Sequence, residues 1–343
     1  MKKAVVLGHF AFGHDKTNGQ TIKTKTVTAE LEKVFGKEAI GREDTMGRWK
    51  FLLRIPAVVL RMLRHYQNII ILPAYKGVRV VSPLLVLGNL FFHRRLHYVV
   101  IGGWLPQYAD KYPLLRWTLR HFDGIYVETQ LMRSELARHK FNNVYVMPNC
   151  KELNIIGSGE MPQFTEKPYR LCTFSRVMEE KGIADAVEAV EACNREEGET
   201  LFTLDIYGPI VEQEWFDRLM AGRQHCRYAG VVPFNQTTQT LKDYFALLFP
   251  TYYHGEGFAG TIIDALSAGL PTIASSWKAN AEFIEDGKTG ILFTPRSTRE
   301  LTSILRDVGR HPEKIQAMRH NCLRKAKDYQ PAAVINTLVD RIK

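Results

Sequence analysis

The sequence predicts an α/β fold of two domains, each a parallel sheet covered by helices on both faces. Three observations predict it. Short apolar runs of strand length alternate with helix-length amphipathic segments along nearly the whole chain. The alternation occurs twice, on either side of residues 156–168, a stretch rich in Gly, Ser and Pro that has no period. At 343 residues the chain is long enough to build two hydrophobic cores. Strands that alternate with helices are joined by crossovers, and crossovers make neighbouring strands parallel.

In the first half, apolar runs predict strands at 4–7, 69–72, 98–101, 124–127 and 144–147. Helical patterns fill the intervals at 21–34, 49–67, 80–92, 113–121 and 130–138. Beyond the linker, strands are expected at 170–174, 201–207, 227–229, 247–250, 272–274 and 290–293. Helices are expected at 183–195, 212–221, 238–244, 260–268, 279–284 and 298–308, and residues 312–342 read as two more. The domains expected are 1–160 and 166–325, with a last helix, 326–343, crossing back to the first. Two such domains would face each other across a cleft, with ligands at the carboxyl ends of the strands.

The composition, 45% hydrophobic and 24% charged, is ordinary for a soluble globular protein. A net charge of +10 favours an anionic partner: nucleotide phosphates, an anionic membrane surface or nucleic acid. Cys150, Cys172, Cys193, Cys226 and Cys322 show no paired spacing, which speaks against a disulfide framework or a zinc site and fits a reducing cytosol. The apolar stretch at the start is too short for a signal peptide and reads as a first strand. The longest apolar region, residues 80–92, contains Ser82, Pro83 and Asn89 and falls short of the ~20 residues that span a bilayer. A cytoplasmic protein is expected, neither exported nor membrane-spanning.

Residues 254–271 are the most informative. The strand-like run 246–249 ends at Pro250, and a polar glycine-rich loop follows: His254, Gly255, Glu256, Gly257, Phe258, Ala259, Gly260. A short helical pattern then stops at Gly269, just before Pro271. Backbone amides at a helix start lack partners and sit at the positive end of the dipole, so they can hold an anion. Two carboxylates bracket that point, Glu256 in the loop and Asp264 in the second helical turn. A ligand with a negative centre and hydroxyl groups at both ends fits, and a nucleotide-sugar has that shape. His254 reads as a loop histidine.

Releasing a nucleoside diphosphate requires stabilisation of its growing negative charge by a metal ion or by fixed positive groups. The chain contains no Asp-x-Asp pair, the usual carboxylate clamp for a metal, and no metal is expected. No metal site is assigned to His9, His14 and Asp15, which lie close in sequence. Residues 174–182, from a strand end to a helix start, contain Arg176 and Lys181. Arg176 can grip phosphate through a fork of donors and Lys181 adds a mobile point charge, although two cations on a surface loop need have no such role.

With these residues in view, the second domain resembles the retaining glycosyltransferases of family 4, which have the GT-B architecture of two Rossmann-like domains with parallel sheets facing across a cleft. The resemblance runs through Ser175-Arg176, Glu180-Lys181-Gly182, residues 204–208, 228–232, 256–271 and 285–290, in the family's order. The first domain resembles the family more weakly, through Asn18-Gly19-Gln20 and Pro148-Asn149. The resemblance implies that Glu256 contacts the transferred sugar and that Asp264 holds the ribose hydroxyls. It places the diphosphate at the amides of Gly257, Phe258, Ala259, Gly260 and Thr261, neutralised by Arg176 and Lys181. It also places the base near Val231 and Val232, sets Gly208 in the nucleotide pocket, and brings Gly19 and Gln20 to the diphosphate from an acceptor-binding first domain.

The chain departs from the family pattern twice. The family often has Glu where this chain has Asp264, one methylene shorter. It also often has a histidine near the reacting sugar, where this chain reads Gly102-Gly103-Trp104. No histidine role carries over, and Gly103 and the face of Trp104 are the candidates on the acceptor side.

On a helical wheel, residues 49–66 gather Lys50, Arg54, Arg61, Arg64 and His65 on one face and apolar residues around the rest, with Pro56 leaving the phase uncertain. The apolar side is expected to pack on the domain's own sheet. The cations also suit an anionic membrane interface, which gives an expectation of peripheral docking on the inner face of the membrane.

The expected activity is transfer of a sugar from a nucleotide-sugar, a UDP-sugar first, to a hydroxyl of a glycan or lipid-linked acceptor in cell-surface polysaccharide synthesis. The transfer would retain configuration, with no cofactor. A GT-B sugar-nucleotide epimerase remains open, as does a non-enzymatic basic membrane- or nucleic-acid-binding protein. A nicotinamide dehydrogenase is weaker, because Gly8 and Gly13 are too far apart for the Gly-x-Gly-x-x-Gly turn. No nucleic-acid recognition module is legible.

Overall fold

The computed structural model describes residues 1–12, 19–45 and 48–343. The expectations on Gly13, His14, Asp15 and Asn18 lie outside the described residues, as do those on the side chains of residues 49–52.

The chain forms two compact units, residues 1–152 with 329–343, and residues 153–328. The first unit runs β1 (Lys2–Gly8), α1 (Gly19–Phe35), β2 (Ile40–Asp44), α2 (Arg48–His65), β3 (Tyr66–Ile71), α3 (Tyr75–Phe92) and β4 (Arg95–Val99). It continues through α4 (Leu105–Lys111), α5 (Pro113–Leu119), β5 (Gly124–Val127), α6 (Gln130–Arg138) and β6 (Val144–Val146). The second unit runs β7 (Tyr169–Phe174), α7 (Ile183–Glu197), β8 (Phe202–Tyr207), α8 (Gln213–Met220), β9 (Cys226–Gly230), α9 (Thr237–Leu241) and β10 (Ala246–Phe249). Then come α10 (Gly260–Ser267), β11 (Thr272–Ser275), α11 (Asn280–Phe283), β12 (Gly290–Phe293), α12 (Thr298–Arg310) and α13 (Pro312–Ala326). The last helix, α14 (Pro331–Ile342), belongs to the first unit.

Each unit has one six-stranded sheet, and the strand pairs are parallel. The first sheet has the order β2-β1-β3-β4-β5-β6 and the second β12-β11-β10-β7-β8-β9. Successive side chains of a strand point to opposite faces, and β1 shows the consequence. Val5 and Leu7 join a core with α2, α3, α5 and α6, whereas Ala4 and Val6 join one with α1 and α14. Five residues of α14, Val334, Ile335, Leu338, Val339 and Ile342, complete that second core. Strands buried on both faces read as continuous apolar runs, which is why they stand out in the sequence.

Two elements escaped the sequence reading. Strand β2 has the sequence Ile-Gly-Arg-Glu-Asp and pairs with β1 at the sheet edge, where water on its free side permits the charges that hide it. Helix α4 is a short segment opened by Pro106, too brief to show a period. Helices α2 and α3 both continue through an internal proline, Pro56 and Pro83. A proline inside a helix costs about 3 kcal/mol, and in α2 burial of Ile55, Val59, Met62 and Leu63 offsets it. The apolar side of α2 therefore packs on its own sheet, leaving Arg54, Arg61, Arg64 and His65 exposed. All five cysteines are free and buried.

Candidate active site

In the second sheet the chain builds outward from β7 to β9, then returns to place β10 on the other side of β7. At this reversal the loops leaving adjacent strands diverge, and a crevice opens at the carboxyl ends. The two loops that leave it are residues 175–182 after β7 and 250–259 after β10. They are joined by the amide of Tyr252, which donates to Glu180 O at 2.8 Å. Gly182, at φ 69°, makes the contact possible, since a Cβ there would lie 2.2 Å from Pro250 O.

The junction brings Lys181 and Glu256 together. Lys181 Nζ donates to Glu256 Oε2 at 2.5 Å, and the two side chains are only 8% and 9% exposed. Thr251 donates to the same carboxylate oxygen at 3.0 Å. The Lys181 ammonium also lies 5.0 Å from the ring centre of Tyr253 and 5.7 Å from that of Phe249. The Arg176 guanidinium lies 5.2 Å from the same Tyr253 ring. Tyr253 is itself held from behind, where Trp277 Nε1 donates to its carbonyl at 2.9 Å. Two cations thus share one aromatic ring, and one of them, Lys181, is also paired with a carboxylate. A π face attracts a cation, and the carboxylate offsets the charge of Lys181, so both cations are tolerated at this ring.

The loop after β10 leads into α10, eight residues long. Its N-cap is Ala259, in extended backbone conformation and without a side-chain hydrogen bond to the first turn. The positive end of the helix therefore carries no side-chain acceptor of its own, the condition for an anion site. Thr261 fastens this end to β7, donating to Phe174 O at 2.6 Å. Phe258 stacks on Phe283 with ring centres 3.6 Å apart, anchoring the loop beside Gly257 and Gly260. Asp264 is buried in the second turn of α10.

Gly208 follows β8 at φ 128°, and a Cβ there would lie 1.8 Å from Ser175 O. The chain passes so close to the end of β7 only because that position is glycine. Tyr228 donates to Gly208 O at 2.9 Å, and β9 ends at Gly230, just before the exposed Val231 and half-buried Val232. The structure thus puts Arg176, Lys181, Gly208, Val231, Val232, Glu256 and the start of α10 at the carboxyl edge of one sheet.

In the first unit, Gly19 opens α1, and Gln20 donates to Leu72 O at 3.3 Å, where the order of that sheet reverses between β1 and β3. Trp104 Nε1 donates to Ile101 O at 2.8 Å, and its ring packs against Tyr75 and Tyr108. Gly103 precedes it in the turn after β4. Sequence reasoning missed Thr251, Tyr253 and Trp277, whose roles come from contacts made by the folded loop. It also missed Lys23, buried with Glu128 at 2.6 Å and bonded to Val100 O. Among the described residues, no group of three or more His, Cys, Asp or Glu is placed to hold a metal ion.

Residues 168–310 match the family described as Glycosyl transferases group 1. The GtfA subunit of the UDP-N-acetylglucosamine–peptide N-acetylglucosaminyltransferase of Streptococcus pneumoniae is 34% identical over 132 residues, 38% of this chain and 25% of that protein. Glycogen synthase of Mycobacterium tuberculosis is 25% identical over 222 residues, 60% of this chain and 51% of its own length. The chain thus spans between a quarter and about half of the length of these curated relatives. The crystal structure of HepE from Anabaena in complex with UDP superposes with a TM-score of 0.76 at 14% identity, covering 99% of both chains. Residues 168–310 thus carry the likeness to the glycosyl transferases group 1 family, and the two parallel α/β units have the GT-B fold.

Proposed function

We propose that the chain is a retaining glycosyltransferase of family 4 that takes its sugar from a UDP-sugar without a divalent metal. The observation that carries this reading is the convergence of Lys181, Arg176 and Glu256 at the switch point beside the start of α10. Two cations and a helix start suit a diphosphate, and a carboxylate beside them suits sugar hydroxyls. HepE was crystallised with UDP and with UDP-glucose, and the GtfA relative is named for UDP-N-acetylglucosamine, which supports the donor class.

Arg176, Lys181 and the amides at Phe258–Thr261 take the diphosphate, supplying the positive charge that a metal would otherwise bring. An ammonium has three donors, so Lys181 can keep Glu256 and still reach a phosphate oxygen. Glu256 then accepts from a hydroxyl of the sugar, and Asp264 from the ribose. The bond between the anomeric carbon and the diphosphate oxygen breaks while the acceptor oxygen bonds to the same carbon on the same face. The acceptor proton passes to the leaving phosphate oxygen, so no side chain is assigned as base. The family resemblance assigns Gly19 and Gln20 to the diphosphate, and leaves Gly103 and Trp104 as the candidates on the acceptor side. We extend the reading to a glycan or lipid-linked acceptor in cell-surface polysaccharide synthesis, a class in keeping with the glycogen synthase relative and with the basic, apolar surface described below.

A thermal-shift screen of nucleotides and nucleotide-sugars, with and without EDTA, tests the donor site. Stabilisation by UDP and one UDP-sugar, insensitive to EDTA, is expected. Stabilisation only with magnesium, or by none of them, overturns the reading. The anomeric configuration of the product, read by NMR, tests retention.

A further inference from the structure

The chain's positive charge is not spread evenly. Residues 48–120 hold twelve Lys and Arg against a single acid, Asp110, whereas the rest of the chain holds 34 Lys and Arg against 35 acids. The whole net charge therefore comes from one stretch of the first unit. That stretch includes α2, α3 and α5, neighbours on one face of the sheet, with α3 in the middle.

The middle helix is unusual on its outward side. After Arg79 it contains no charged residue, yet Val80, Leu87, Leu90 and Phe91 are exposed, Phe91 to 84%. Its two polar side chains are turned inward or used locally. Ser82 is buried 3.0 Å from Thr118, and Asn89 closes the helix end by bonding Arg94 N and O. Leu53 on α2, 86% exposed, and Trp117 on α5 extend the apolar surface to either side. Exposed apolar surface of this extent marks a contact site. The same helices and the end of α4 carry Arg54, Arg64, Lys76, Arg79, Lys111 and Arg116, none of which has a carboxylate partner among the described residues. Among the described residues no helix is long and apolar enough to cross a membrane.

We infer that the outer face of α3, flanked by Leu53 of α2 and Trp117 of α5, is a docking surface for an anionic lipid bilayer, which it lies on rather than spans. An apolar strip rimmed by arginines and carrying a tryptophan matches the headgroup boundary, where apolar side chains reach acyl chains and cations meet lipid phosphates. A second copy of this chain fits poorly, because it would bring the same excess of positive charge against itself. The contact centres on α3 rather than on α2, where the sequence placed it, because Ile55, Val59, Met62 and Leu63 of α2 are buried in the core. It would hold the transferase beside a lipid-linked acceptor. In that purpose it rests on the proposed function, but in its physics it does not.

Flotation with vesicles of phosphatidylcholine, with and without phosphatidylglycerol, tests it. The protein should float with the anionic vesicles, stay down with the neutral ones, and be released by high salt. Leu87→Glu with Phe91→Glu should cut the bound fraction at least about tenfold while the melting temperature and its shift with UDP stay unchanged. Arg64→Gln with Arg79→Gln should weaken binding several-fold and flatten its salt dependence. Failure of the unmodified protein to bind, or full binding by the Leu87/Phe91 variant, overturns the inference. So does a dimer seen by light scattering that the same variant dissolves, which would make the surface a protein interface. A protein that responds to UDP but does not float defeats this inference alone; one that floats but ignores UDP defeats only the donor reading.

Discussion

Lys181 and Glu256, 75 positions apart in the chain, meet at 2.5 Å in a pair almost closed to water. A buried ion pair contributes little net stability, because desolvation offsets the attraction, yet removing one partner alone is costly. Such a pair beside an uncapped helix start is better explained by what it binds than by what it stabilises.

Glu256→Gln keeps the size and the hydrogen-bonding capacity of the side chain but removes the charge. Transfer should fall by about a hundredfold or more, while the shift in melting temperature with UDP is retained, since the carboxylate is assigned to the sugar and not to the diphosphate. Steady-state kinetics with UDP titrations on the same preparation check this. A variant with near-normal turnover would remove Glu256 from the site.

Arg176→Ala and Lys181→Met should each weaken UDP binding by about ten- to a hundredfold, the range of a charge-assisted contact to phosphate, and leave uridine binding unaffected. Calorimetry with UDP and uridine in parallel separates charge from base recognition. Equal losses for both ligands would mean that the loop has collapsed rather than lost a phosphate contact.

Gly208→Ala places a methyl group 1.8 Å from Ser175 O at a φ of 128°, so the ends of β7 and β8 must separate. A loss of about 2–4 kcal/mol and abolished UDP binding are expected, read from denaturant melts and calorimetry. Gly222→Ala is the control, for although its φ is 73°, nothing lies within 4 Å of its Cβ position.

Asp205 gives a prediction for pH. Burial pushes its carboxyl up, but hydrogen bonds from Arg227 at 2.5 Å, Tyr244 at 2.6 Å and Arg170 at 3.0 Å outweigh this and hold it down at about 2. A carboxyl held below its ordinary value stabilises the fold above that value and loses the contribution as pH falls through the folded one. Asp205→Asn should therefore lower stability by about 1–2 kcal/mol near neutral pH, a figure kept small because Arg227 is exposed and screened. The gap to the unmodified protein should close between about pH 4 and pH 2 in thermal melts. A gap independent of pH would mean that Asp205 acts through packing and not through its charge.

Much of this architecture was legible in the sequence, because a doubly covered parallel strand must be apolar along its length, and runs such as those in β1 and β3 announce themselves. Elements that break that rule did not show. The edge strand β2 carries charge on its water-facing side, and α4 is shorter than two full heptads of pattern. The site was legible where its chemistry is local: a glycine-rich loop running into a helix can be read from consecutive residues. It was illegible where a role is made by neighbours, as with Thr251 bonded to Glu256 or Tyr253 beside two cations.

The sequence by itself determined the α/β class, the two halves and the residue types of the loops, since periodicity and turn chemistry act over a few residues. Only the tertiary structure decided that β10 returns to lie beside β7, which turns two loops far apart in the chain into one crevice. It also decided that α3 shows Val80, Leu87, Leu90 and Phe91 to solvent while Ile55, Val59, Met62 and Leu63 of α2 turn into the core. Both depend on which surfaces are left over once each core is closed, and that is settled by the packing of the whole unit, not by any local pattern.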